Sequence, residues 1–265
     1  MAERRVGRMA IAPLLKSGGR KPLQVRVLHP PLCCKEFAGS APKAHPSWTG
    51  NPSPAANLYV THSTRMKLEL KPGNALVLVA HPDDETIWMG GTILKFPNVR
   101  WTIFSLCRAG DRERAPKFRR ACRLYAARPI ISDLEDEGAM SVRESVPAIE
   151  RRIRALLTRR RFDFIFTHGY NGEYGHPRHK GVARAVKRLA AAKWLTAKEM
   201  FALAYHLKPR GRCARPNANS DYTLALTKKN FEKKRRVINT LYGFRKQSFE
   251  YRSAAQKETF NRLII

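Results

Sequence analysis

From Met66 onward, short apolar runs alternate with amphipathic stretches. Ala75-Leu76-Val77-Leu78-Val79-Ala80 is continuously apolar, as expected of a strand buried on both faces. Trp101 to Leu106, Phe162 to Thr167, Phe201 to Leu207 and Tyr222 to Thr227 read as further strands. Between and after them, Glu85 to Lys95, Glu113 to Ala127, Ser141 to Arg161, Pro177 to Ala192 and Lys228 to Tyr242 read as helices. In the third of these, Ile149, Ile153, Leu156 and Leu157 share one face. Such alternation predicts an α/β fold: a Rossmann-like, mostly parallel sheet with helices on both faces.

The first 65 residues show neither period. They hold eight of the 17 prolines, and ten Lys or Arg against the two acids Glu3 and Glu36. This composition predicts a basic, Pro-rich, unstructured extension over 1–65, followed by one domain over 66–265. Met1 to Arg20 is Arg-rich and faintly resembles a transit peptide, although Glu3 and Gly18-Gly19 weaken that reading. Met66, directly before the first strand, is an alternative start.

The whole chain carries 51 Lys and Arg against 21 Asp and Glu, a net charge of +30. Such a surface attracts polyanions, so nucleic acid is expected to adhere non-specifically. It also motivates a basic rim around a pocket for anionic substrates. No apolar run approaches the ~18 residues of a membrane-spanning helix. Five cysteines without a C-x-x-C pair fit neither a disulfide framework nor a cysteine–zinc knot, which points to a reducing, cytoplasmic setting.

Candidate chemistry falls at two strand ends, where open α/β sheets bind ligands. The first strand runs into His81-Pro82-Asp83-Asp84-Glu85, and the strand ending at Thr167 into His168-Gly169-Tyr170-Asn171-Gly172-Glu173-Tyr174-Gly175-His176-Pro177-Arg178-His179. Pro177 suits the first position of a helix, leaving His176 at its cap and His179 in its first turn. Side by side, these turns offer His81, Asp84 and His179 as ligands of a divalent metal. Three protein ligands leave a position open for water, as in catalytic zinc sites. Mixed nitrogen and oxygen donors suit zinc, with Fe(II), Co(II) or Mn(II) as alternatives. Asp83 and His176 then stand beside the metal, one to take a proton from water, the other to polarise a carbonyl or protonate a leaving amine. His168 and His206 read as supporting or core histidines, and Lys228 to Arg236 as the wet face of the last helix.

Ala80-His81-Pro82-Asp83-Asp84-Glu85 and Gly175-His176-Pro177-Arg178-His179 together resemble the PIG-L/LmbE-like deacetylase family. The resemblance spans roughly residues 70 to 250. It implies a zinc-dependent hydrolase that removes an N-acetyl group from an amino sugar or sugar conjugate, as in N-acetylglucosamine deacetylation. It implies His81, Asp84 and His179 as metal ligands, Asp83 as general base, and His176 as acid or oxyanion stabiliser. Tyr174 matches a tyrosine that helps hold the carbonyl oxygen. Asp111 and Arg112, in the loop after the second strand, and Asp136, in Leu134-Glu135-Asp136-Glu137, are implied as sugar contacts. Arg178 stands where many members carry an Asp that supports the catalytic histidine. The alternatives are an amidase acting on another sugar-linked amide, and a polyanion-binding protein built on an inactive hydrolase fold.

Overall fold

The computed structural model describes residues 65–265. The extension expected over 1–65, with Cys33 and Cys34, lies outside the described residues except for Arg65. In chain order the elements are β1 (Met66–Lys67), β2 (Gly73–Val79), α1 (Asp84–Lys95), β3 (Val99–Cys107), α2 (Arg114–Leu124), β4 (Arg128–Leu134), α3 (Val142–Leu156) and β5 (Arg161–Thr167). There follow α4 (Gly172–Gly175), α5 (Pro177–Ala191), β6 (Thr196–Leu203), β7 (Tyr205–Leu207), β8 (Ala214–Pro216), β9 (Tyr222–Ala225), α6 (Lys228–Arg236), a π-helical turn (Val237–Leu241), α7 (Phe249–Ser253) and β10 (Lys257–Arg262).

Eight strands form one sheet in the order β1-β9-β10-β6-β5-β2-β3-β4. β6, β5, β2, β3 and β4 run parallel, whereas β10 is antiparallel to both β6 and β9. β2 is central because both its faces are apolar. Ala75, Val77 and Val79 face a core shared with α1 and α2; Leu76, Leu78 and Ala80 face a second core under α3 and α5. From β2 the chain adds β3 and β4 on one side, then crosses over to β5 and β6 on the other. The crevice where the winding reverses opens beyond the carboxyl ends of β2 and β5.

Several elements depart from the sequence expectation. β4 and β10 are additional strands. β4 is a half-exposed edge with a proline, and edges tolerate both. β10 carries only one large apolar residue, Phe260, and buries Glu258 by pairing it with Lys234 at 2.6 Å. Lys234 is therefore fully buried and is not part of a wet face. The helix expected to reach Arg161 stops at Leu156, because the chain must turn into β5, and the last helix changes to a π turn after Arg236. The strand expected over Phe201 to Leu207 is two strands, β6 and β7, and only the first joins the main sheet.

Among the described residues, Cys107, Cys122 and Cys213 are buried free thiols. No described helix is long and apolar enough to cross a membrane.

Candidate active site

The turn after β2 carries the first half of the site. The Asp83 carbonyl accepts the amides of Thr86 and Ile87, which starts α1, while its own backbone sits at φ 121. A non-glycine residue held there stores strain of about 1–3 kcal/mol, tolerated when the surroundings over-determine it. Here Glu85 does so, accepting the Asp83 amide at 3.1 Å and the hydroxyls of Thr86 and Tyr242 at 2.6 and 2.7 Å. Asp84 is fixed through both oxygens, Oδ1 by the Trp88 indole at 2.9 Å and Oδ2 by the His81 amide at 2.8 Å.

The turn after β5 carries the second half. Gly169 passes so close to the chain that a Cβ there would lie 2.5 Å from the Leu203 carbonyl oxygen. Asn171 donates to the Tyr205 carbonyl at 2.6 Å. His176 caps α5, its Nδ1 accepting the Arg178 amide at 3.2 Å, and Pro177 opens the helix. This is the arrangement expected from the sequence.

These two turns bring three donor atoms together. His81 Nδ1 lies 3.2 Å from Asp84 Oδ2 and 3.2 Å from His179 Nε2; His179 Nε2 lies 3.4 Å from Asp84 Oδ2. Tetrahedral zinc with bonds near 2.0–2.1 Å needs donors about 3.3 Å apart, so the residues fit the ion. Each imidazole is also oriented from behind. His81 donates Nε2–H to Asp136 at 2.9 Å, and His179 donates Nδ1–H to Glu173 at 2.6 Å. Both lone pairs therefore face the common point, the usual support of a metal-binding histidine.

Three other donor sets lie close enough to share an ion: His81–His176–His179, His81–Cys107–Asp136 and Asp84–His168–His179. Each loses a donor on inspection. His176 already commits Nδ1 to the Arg178 amide. Burial pushes the Cys107 thiol far up, away from the thiolate that binds metals. His168 Nε2 accepts the Ala80 amide at 2.9 Å, so its lone pair is occupied while Nδ1–H goes to Glu173 at 2.8 Å.

Charge states follow from burial and neighbours. Burial opposes charge on His81, yet hydrogen bonds to Asp136 and Asp84 push it up to about 10; the site draws positive charge. For Asp84, burial is outweighed by the His179 and His168 rings, which hold the carboxyl well below the ordinary range. Burial, then repulsion from Asp84, raises Asp83, while the Arg114 guanidinium pulls in the opposite direction. Burial, then the nearby His179 and His81, push His176 down to about 3. It is thus a neutral imidazole, with its proton on Nε2.

A cavity of about 290 Å³ opens over this cluster, lined by His81, Asp83, Asp84, Tyr174 and His176 together with further polar and aromatic groups. Of the other expected residues, Asp111 reaches the cavity, but its Oδ1 caps α2 by accepting the amides of Glu113 and Arg114 at 2.9 and 2.8 Å. Arg112 is exposed and does not line the cavity; Arg114, two residues on, does, and its guanidinium pairs with Asp83. Asp136 lines the cavity, and its second oxygen accepts from Arg108 at 3.0 Å. His206 lies in the β7–β8 ribbon and does not line the cavity. Arg178 is 2% exposed and turns from His176 to the β4–α3 loop, donating to the Glu135 carbonyl and carboxylate at 2.8 and 2.6 Å and to the Met140 carbonyl at 2.9 Å. Its amide, rather than its side chain, orients His176.

The lining also answers the expectation of a basic rim: it contains five carboxylates (Asp83, Asp84, Asp111, Asp136, Glu250) and two guanidinium groups (Arg108, Arg114).

The sequence reading left Glu173 without a role. Glu173 is fully buried at φ 57, and one carboxylate oxygen accepts from both His168 and His179 while the other takes the Gly169 amide at 2.8 Å. A carboxylate six residues before a candidate ligand histidine was a visible signal, since such histidines need an acceptor behind them.

Comparison with known proteins bears on the family and the fold. Residues 76–190 match the sequence model of the PIG-L family, described as GlcNAc-PI de-N-acetylase. No curated protein matches the chain. Among solved structures, the 4-carboxy-2-hydroxymuconate hydratase GalB of Pseudomonas putida is similar over 72% of this chain and 96% of its own, with 16% identity and a TM-score of 0.51. The N,N'-diacetylchitobiose deacetylase of Pyrococcus horikoshii is similar over 72% of this chain and 83% of its own, with 16% identity and a TM-score of 0.50. A deacetylase of the teicoplanin pathway, in complex with teicoplanin, covers 72% and 100% with 9% identity and a TM-score of 0.50. At such identities the likeness is one of fold, and a hydratase shares it with deacetylases, so chemistry must be argued from the site. The segment that carries both halves of that site, residues 76–190, is the one that matches the PIG-L family model.

Proposed function

We propose that this protein is a divalent-metal-dependent N-deacetylase that hydrolyses the acetamide of an amino sugar or sugar conjugate. The observation that carries the reading is the triangle of His81, Asp84 and His179 donors, 3.2–3.4 Å apart, each fixed from behind. These three residues would hold the ion, and zinc suits their donor set. When bound, the ion supplies Lewis acidity, polarising an amide carbonyl and lowering the pKa of water.

The protein's own groups complete the reaction. Asp83, facing the cavity, takes a proton from the attacking water, and burial raises its affinity for that proton. Neutral His176 keeps its proton on Nε2 and donates a hydrogen bond to the carbonyl oxygen as negative charge grows there, with Tyr174 as the second candidate donor. The proton held by Asp83 then passes to the leaving nitrogen as the C–N bond breaks, releasing acetate and an amine. Trp88, Tyr174 and Phe249 supply an aromatic wall for the sugar ring. The predominantly acidic lining favours a neutral sugar over the anionic substrate expected from net charge.

The PIG-L match favours amide hydrolysis over the hydration chemistry of the P. putida neighbour. Acetate release from a panel of neutral and anionic N-acetyl sugars tests the proposal. Release that stops on chelation and returns with zinc is the expected result. Absence of acetate from every sugar, with metal stoichiometrically bound, overturns it.

A further inference from the structure

The amino ends of β5 and β6, at the opposite edge of the sheet, enclose a second cavity of about 370 Å³. From Arg161 to Thr167, the two ends of β5, is six residue steps, about 20 Å at 3.3 Å per residue, so this pocket is remote from the candidate active site. Arg154, Arg160, Arg161 and Lys193 line it around Trp194, and no carboxylate does. Among the described residues, none of these four cations forms an ion pair; other surface cations such as Arg188 and Lys198 do, with Glu150 and Asp163 at 2.9 and 2.8 Å.

The cluster is held together by its framework. The guanidinium carbons of Arg154 and Arg160 lie 4.7 and 4.8 Å from the Trp194 ring centroid, so one indole attracts two like charges to itself. The Trp194 backbone is fixed in turn, its amide donating to the Leu189 carbonyl at 2.9 Å after Lys193 closes α5 at φ 54. The Thr196 amide donates to the Arg160 carbonyl at 2.9 Å, tying the two loops to each other. Like charges gathered without a counter-charge gain most from a multiply charged anion, and guanidinium forks match phosphate oxygens in pairs. Because Trp194 already carries the two guanidinium groups, it is a scaffold for charge rather than a platform for a stacked base.

We propose that this pocket is a binding site for neighbouring phosphate groups, as in a free oligophosphate or the backbone of a nucleic acid strand, recognised by charge and not by base. A chain of net charge +30 binds any polyanion weakly, so the prediction concerns this pocket against the rest of the surface.

Titrate the full-length protein with inorganic tripolyphosphate at 0.15 M salt, following tryptophan fluorescence. Trp88 and Trp101 are buried in the core, whereas Trp194 borders the pocket. A saturable change that Trp194→Phe abolishes is expected. Arg160→Gln/Arg161→Gln should weaken binding at least tenfold, while Lys228→Gln/Arg236→Gln, removing equal charge elsewhere, should change it less than twofold. Equal weakening by both pairs, or no saturable change, overturns the proposal. If the first pair lowers the melting temperature, Arg160→Lys/Arg161→Lys carries the test: it keeps the charge and loses the fork, so several-fold weaker binding is expected and unchanged binding overturns the site. Repeating the titration with a twelve-residue oligothymidylate separates the sources. Tighter binding per phosphate assigns a strand, and weaker binding a free oligophosphate.

Discussion

The two ends of the central strands are built from opposite electrostatics. At the carboxyl ends, carboxylates and histidines are buried and nearly every charge has an opposite partner: Asp83 has Arg114, Asp136 has His81 and Arg108, and Glu173 has two imidazoles. At the amino ends of β5 and β6, four cations stand in the open around one indole without an ion pair among the described residues. A net charge of +30 therefore describes neither end. Compensation allows charges to be buried and aimed; lack of it keeps them at the surface, where they wait for a mobile anion.

The largest expected effect comes from breaking the donor triangle. Asp84→Ala or His179→Ala should lower bound zinc several-fold, by elemental analysis, with the circular dichroism spectrum unchanged; full zinc occupancy in both variants would refute the ligand assignment. Next, Asp83→Asn keeps shape and hydrogen bonding but cannot accept a proton. Turnover should fall by ~10²-fold or more with metal retained, whereas activity within twofold of the parent would move the base elsewhere. Glu173→Gln removes the charge behind His179 and His168, and metal affinity should fall by about 10–100-fold in a chelator competition.

A smaller, directional effect is expected at Arg114. Its guanidinium opposes the rise that burial imposes on the Asp83 carboxyl. Without it the carboxyl keeps its proton to higher pH, so in Arg114→Gln the acid limb of kcat/KM should move up by about one pH unit. An unmoved limb would mean that another group sets it. The smallest effect lies at the basic end. Arg160→Gln/Arg161→Gln breaks no ion pair and should leave stability within about 0.5 kcal/mol in chemical denaturation; a larger loss would make those residues structural.

Much of the site was legible because both motifs sit directly after buried strands. A continuous apolar run fixes β2 as central, and a turn at the carboxyl end of a central strand faces the crevice whatever surrounds it. Pro177 likewise made His176 the cap of α5 from local rules alone. The supporting shell was less legible. Asp136 orients His81 from 55 residues away, and Arg114 meets Asp83 across 31. Their partners depend on the register of β3 and β4 against β2, which no local period encodes. β4 and β10 escaped for a related reason: an edge strand and a strand with a buried ion pair lack the apolar pattern by which strands are recognised.

Residue type and order thus determined the α/β alternation and the central strand and put forward three candidate donors and a candidate base, because each follows from short-range pattern and donor chemistry. Only the tertiary structure decided which nitrogen of each histidine is free, since that is set by what lies behind the ring: Asp136 for His81, Glu173 for His179, and the Ala80 amide for His168. It also decided where the positive charge goes, because charge is a property of composition, whereas its compensation depends on which side chains the fold brings within a few ångströms of one another.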